Sequence, residues 1–173
     1  MMSGETMNLK DILFMFEYNY WANGKILSAC KNITQEQFLA SGEFPYGGLR
    51  GTLLHIVDGE RLWRVLFETQ RVTEDEDLVA EDFPTFDSLE KKFQEEEKLM
   101  RAYLGKLKDE DMESHLKYTT TEGVHRDRIL WHCFYHLVNH GTQHRSEAAA
   151  LLTSYGSSPG DLDVTVFLNE MKK

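Results

Sequence analysis

Apolar residues recur at three-, four- and seven-residue steps through most of this chain, the spacing of helices that bury one face. Over residues 8–31 the series is Leu13, Phe16, Tyr20 and Leu27, interrupted only by Gly24. Thr34 and Gln37 then stand at capping-box distance and predict a short helical turn. Residues 43–48, EFPYGG, break the pattern, and a second long helix is expected over about 49–70. An acidic connector, TEDEDLVAE at 73–81, reads as a solvated loop. Beyond Pro84 the third helix spans about 86–108, capped by Thr85 or Asp87, with Phe86, Leu89, Phe93, Met100, Leu104 and Leu107 on its stripe and Glu96 or Glu97 breaking it.

Residues 115–121, HLKYTTT, are β-branched and aromatic, and Glu122-Gly123 follows, so this stretch predicts a short extended or hairpin-like connection. The fourth helix is expected over about 126–155, stopped by Gly156 and Pro159, with residues 161–173 as a further short helix or a strap. Four long amphipathic helices without a credible sheet predict an all-α fold, an antiparallel four-helix bundle. At 173 residues it is one domain, 1–173, in which residues 1–7 are expected to be disordered and Met7 could be the natural start.

The fourth helix also carries the chemistry. His132, His136, His140 and His144 lie four residues apart, so neighbours stack along the helix. Leu130, Phe134, Leu137, Gly141, Ala148 and Leu151 mark the apolar centre of that helix. From this centre His144 lies about 35° away, His140 about 75°, His136 about 115° and His132 about 155°. The series winds out of the core. Residues eight apart are separated by about 12 Å along the axis, too far to share one ion with bonds near 2.1 Å. The inward pair, His140 and His144, is therefore the candidate pair of ligands. A third candidate, His55, sits on the second helix with Gly59 one turn on, where the missing side chain would leave room. The competing reading makes these histidines satisfied core residues. Imidazole nitrogens favour zinc or nickel over magnesium.

Charge narrows the partners. The net charge of -10, from 19 Lys+Arg against 29 Asp+Glu, would repel nucleic acid and anionic membrane. No apolar run reaches the roughly 18 residues needed to span a bilayer, and no secretory signal opens the chain. Two cysteines, Cys30 and Cys133, are too few for a disulfide framework, fit a reducing cytoplasm and are expected to be buried. His115 and His125 fall in the connector and are expected to be solvated.

Four segments together resemble the DinB family, over nearly the whole chain. They are YNYWANGKIL at 18–27, LLHIVDGERLW at 53–63, HLVNHGTQHRSEAA at 136–149 and GDLDVTVFL at 160–168. Ser146-Glu147 departs from the Gly-Gln that often follows His-Arg in that family. The resemblance implies an antiparallel four-helix bundle, often dimeric, holding a divalent metal through His55, His140 and His144. It makes His136 a neighbour of the metal, and Arg145 is read either as a site residue or as a surface ion pair with Glu147 or a first-helix acid. It also implies an enzyme of the thiol S-transferase or hydrolase type. Its partners would be a small-molecule substrate and a low-molecular-weight thiol such as bacillithiol, mycothiol or glutathione. The rival class is a non-catalytic metal-binding stress-response or interaction protein. Asp58, Glu60 and Tyr18 are the nearest acid/base groups by sequence. Aromatics on more than one face of the first two long helices (Phe14, Tyr18, Trp21, Trp63, Phe67) motivate a homodimer.

Overall fold

The computed structural model describes residues 7–72 and 77–172. The expectations for residues 1–6 and for the connector at 73–76 lie outside these, as does Lys173. The chain is mostly helical. Four long helices, α1 (Leu9–Cys30), α3 (Leu49–Thr69), α4 (Phe86–Leu104) and α5 (Leu130–Ser154), are accompanied by the shorter α2 (Gln35–Leu39) and α6 (Val164–Glu170). A hairpin, β1 (His115–Thr119) and β2 (His125–Ile129), pairs His115 with Ile129 and Thr119 with His125. No helix among the described residues is long and apolar enough to cross a membrane.

Local chemistry explains the boundaries. Asn8 caps α1 and exchanges hydrogen bonds with Asp11, Thr34 does the same with Gln37 for α2, and Thr85 with Ser88 for α4. The third long helix ends at Leu104, four residues short of the expected end. Residues 126–129 were expected to open the last helix and instead form β2. His125–Ile129 is almost wholly exposed, so no buried stripe holds it to a helical period, and Gly123 at φ 80° allows the tight turn that returns it to β1.

α5 packs on α1 and α3, α4 packs on α3 and α1, and the pairwise contacts give the helix directions. Between α1 and α4, Glu17 meets Arg101 while Lys31 meets Glu90, so these helices run opposite. Between α3 and α5, His55 meets His140 and His144 while Phe67 meets Phe134, again opposite. By contrast α1 and α5 run parallel, since Phe16 meets Phe134 and Ser157 bonds to the Ala29 carbonyl. α3 and α4 also run parallel: Arg64 pairs with Glu96 and Phe67 stacks on Tyr103. The arrangement is thus not antiparallel throughout. The connection from α3 to α4 has to return along the helices. Leu78 N–H donates to Asp58, and further on the Ala80 carbonyl accepts from Arg50 near the start of α3.

Two apolar clusters fill the interior. One, toward the hairpin, contains Phe16, Phe67, Met100, Leu104 and Phe134. The other contains Ile26, Leu49, Leu53, Leu89 and Leu152. Between them runs a buried polar layer contributed by all four long helices: Asn19 and Asn23, Glu60 and Arg64, Glu96, His144 and Arg145. Buried polar groups persist only when partnered, and no buried side-chain nitrogen or oxygen among the described residues lacks a hydrogen bond. The aromatic surplus that suggested a dimer is largely consumed within the chain. Phe167 of α6 packs against Tyr18, Trp21 and one side of Phe14, which stays exposed, and Trp63 lies against Phe67, Tyr118 and His136.

Candidate metal centre

The outward winding of the histidines on α5 is visible in their burial: His132 and His136 are exposed, His140 is half-buried and His144 is buried. α3 presents His55 to the two inner members. The Nε2 atoms of His55 and His140 lie 2.9 Å apart, and one ligand nitrogen from each of His55, His140 and His144 falls within 4.8 Å of the others. Imidazole nitrogens sharing a tetrahedral ion at about 2.1 Å would be about 3.4 Å apart. Small side-chain rotations reconcile the two, so the residues fit a divalent ion. Among the described residues, this is the cluster with a metal-ligand arrangement.

Burial favours neutral rings here. It pushes the His140 imidazole down to about 4, helped by His144, His55 and His136. Burial, then His144, also lowers His55, against the opposing pull of Asp58 and Glu147. Neutral imidazole keeps the lone pair that a metal requires. Gly59 does not leave a void beside His55 as the sequence suggested. His140 fills that space, and a Cβ at residue 59 would meet its Cε1 at 3.1 Å.

Two neighbours were not assigned a place beside the histidines from the sequence, although Glu147 was noted there as a departure from the family pattern and as a partner for Arg145. Glu147, one turn beyond His144, lies with Oε2 2.8 Å from the His144 Nδ1. Tyr46, in the EFPYGG loop, stacks flat on His55 with centroids 3.7 Å apart and meets His144 edge-on at 5.3 Å. A carboxylate three residues after a histidine on the same helix was a usable signal for the first. Nothing in the loop sequence announced the second.

The three acid/base candidates are engaged elsewhere. Asp58 pairs with Arg61 and accepts from Leu78, anchoring the return segment. The Tyr18 hydroxyl donates to the Leu162 carbonyl. Glu60 is buried on another face of α3, accepting from Tyr20 at 2.8 Å and Asn19 at 3.4 Å, and burial pushes its carboxyl up to about 7.

The surface reading of Arg145 is overturned. Its side chain is 1% exposed, donating to Asn19, to Asn23 at 2.9 Å and to Thr142 at 3.0 Å. Burial lowers it to about 10, and Gly141, whose missing side chain clears the path of the guanidinium, makes the position possible. Cys30 and Cys133 are buried free thiols, pushed up to about 12 and about 11.

The DinB family model matches residues 2–172. Protein DinB of Bacillus subtilis (strain 168) is 24% identical over 173 residues, covering 95% of this chain and 99% of that one.

Proposed function

The chain belongs to the DinB family, and from that premise we propose a divalent-metal protein in which His55, His140 and His144 hold one zinc or nickel ion. Its four long helices form the four-helix bundle, with mixed helix directions, that carries the site. The observation that supports this most is the convergence of three imidazoles from two helices within 4.8 Å, two of which, His55 and His140, burial holds toward the neutral form. Three protein ligands leave coordination open, the pattern of catalytic rather than structural zinc. When bound, such an ion would supply Lewis acidity toward a thiol or a water.

The activity we propose is activation of a low-molecular-weight thiol or of water, as a thiol S-transferase or hydrolase acting on a small molecule. The chain's own cysteines support an external thiol. Both are buried and shifted away from the thiolate, so neither is a nucleophile at neutral pH. Tyr46, stacked on His55 at the loop side, would shield the cluster from solvent and border the substrate. We place the protein in the cytoplasm. We retain the homodimer on the exposed Leu13 and Phe14 of α1, to be tested by light scattering against the 20.1 kDa of one chain.

A second reading, a metal-binding protein without catalysis, is favoured by one observation: Tyr18, Asp58 and Glu60 are all turned to other partners. Elemental analysis of protein purified without a histidine tag, followed by a thiol-transfer screen, separates the two. About one zinc or nickel per chain with transfer or hydrolysis supports the enzyme. Metal without turnover supports the second reading. No metal under any loading condition overturns both.

A further inference from the structure

His144 differs from the other two candidate ligands in how it is held. Its Nδ1 lies 2.8 Å from Glu147 Oε2, and the two side chains are 6% and 18% exposed. Among the described residues, no carboxylate or carbonyl holds His55 or His140 in this way; the hydrogen bond of those two is with each other. Among the described residues no Lys or Arg is paired with Glu147, and the adjacent Arg145 turns away toward Asn19 and Asn23. The carboxylate is therefore directed at one imidazole.

Resting on the three-histidine reading, we propose that Glu147 is the positioning residue of the metal centre. It accepts the Nδ1–H of His144, fixes the tautomer whose Nε2 lone pair faces His55 and His140, and sets its negative charge next to the ion's positive charge. A carboxylate behind a ligating imidazole raises ligand basicity and orients the ring. The three-residue spacing on α5 builds this arrangement into one turn of helix, so it stands before any ion arrives. His144 becomes the anchored ligand, while His55 and His140 exchange their mutual hydrogen bond for the ion. Tyr46, edge-on to His144, restricts the same ring from the loop side.

The test uses the full chain, zinc(II) and cobalt(II). Zinc affinity is measured by competition with a chromophoric chelator, and the visible d–d spectrum of the cobalt form reports ligand geometry. Glu147→Ala should weaken zinc roughly 10- to 100-fold and shift the cobalt bands. Glu147→Gln keeps an acceptor oxygen but not the charge, and should fall between Glu147→Ala and wild type. The metal-free forms of all three should unfold at closely similar temperatures, which a merely structural role for Glu147 would not give. Wild-type affinity and an unchanged cobalt spectrum in Glu147→Ala would overturn the assignment while leaving the three-histidine site intact. Glu147→Gln serves as the readout if the alanine variant is destabilised. A wild-type chain that binds neither metal defeats the underlying site, and this assignment with it.

Discussion

Gly59 of α3 and His140 of α5 stand so close that the helix and the imidazole leave room for hydrogen and little else: a Cβ on residue 59 would lie 3.1 Å from the ring's Cε1. Glycine inside a helix costs about 1 kcal/mol relative to alanine. This one lets α3 approach α5 at the height of the histidine cluster, so local propensity is given up for site geometry.

Gly59→Ala should therefore separate stability from binding. The metal-free variant should unfold at or above the wild-type temperature, because the helix gains propensity. Its zinc affinity should fall several-fold or more as the His140 ring is displaced. Calorimetric melting and zinc titration on the same preparations check this. Unchanged zinc affinity would mean that the ring position does not govern the site.

Substitution of the cluster should follow its geometry. His55→Ala, His140→Ala and His144→Ala should each abolish stoichiometric zinc, since two imidazoles leave the ion short of protein ligands. His132→Ala should leave binding unchanged, because that ring is exposed and lies against Trp131. His136→Ala should alter it little. Elemental analysis after desalting decides the series. Retention of zinc in His144→Ala with its loss in His132→Ala would contradict the face assignment.

The metal-free protein should show two opposing pH effects. His140, held near 4 in the fold against an ordinary value of 6.5, refuses a proton that the unfolded chain accepts. Its contribution therefore makes stability fall as pH drops from 6.5 toward 4. Glu60, raised to about 7 from an ordinary 4.5, keeps in the fold a proton that the unfolded chain has lost. Its contribution is full below 4.5 and is lost as pH rises through 7. Glu60→Gln removes the second effect alone, so its stability relative to wild type should improve between pH 5 and pH 7.5, by on the order of 2 kcal/mol. Denaturant unfolding across that range measures the difference. Parallel curves for the two proteins would show that Glu60 does not titrate there.

The histidine cluster was legible because its members follow the helical period. His140 and His144 fall near the apolar stripe of one helix, and His55 is the isolated histidine of another, so face and reach were enough to select them. Helix direction was not legible, because an amphipathic stripe reads alike in either direction. The parallel pairing of α3 with α4 appears only through contacts such as Arg64 with Glu96. The hairpin was half legible. Residues 115–121 carried β-forming side chains, whereas HRDRI at 125–129 has no alternation to distinguish it from the start of the helix it precedes. Arg145 misled for another reason. A single arginine beside a ligand is ordinarily solvated, and its partners Asn19 and Asn23 belong to a helix more than a hundred residues earlier. The available signal was indirect: Asn19 and Asn23 four apart on α1, and Gly141 four before Arg145 on α5.

That polar layer yields the sharpest stability prediction. Arg145→Met keeps much of the side-chain volume but removes the donors facing the Asn19 and Asn23 side-chain oxygens. Each buried acceptor left without its partner costs about 1–3 kcal/mol. The variant should lose on the order of 3 kcal/mol, discounted for rotation of the two amides toward other donors. Arg145→Lys should recover only part of the loss, since one ammonium cannot reproduce a planar fork reaching Asn19, Asn23 and Thr142 together. Asn23→Ala combined with Arg145→Met should cost less than the two changes summed, because they remove opposite ends of one hydrogen bond. Zinc stoichiometry of the folded fraction should stay at wild type, as Arg145 is no ligand. Denaturant unfolding and zinc titration test both halves. An Arg145→Met protein within about 0.5 kcal/mol of wild type would show that the buried guanidinium does not hold α1 to α5.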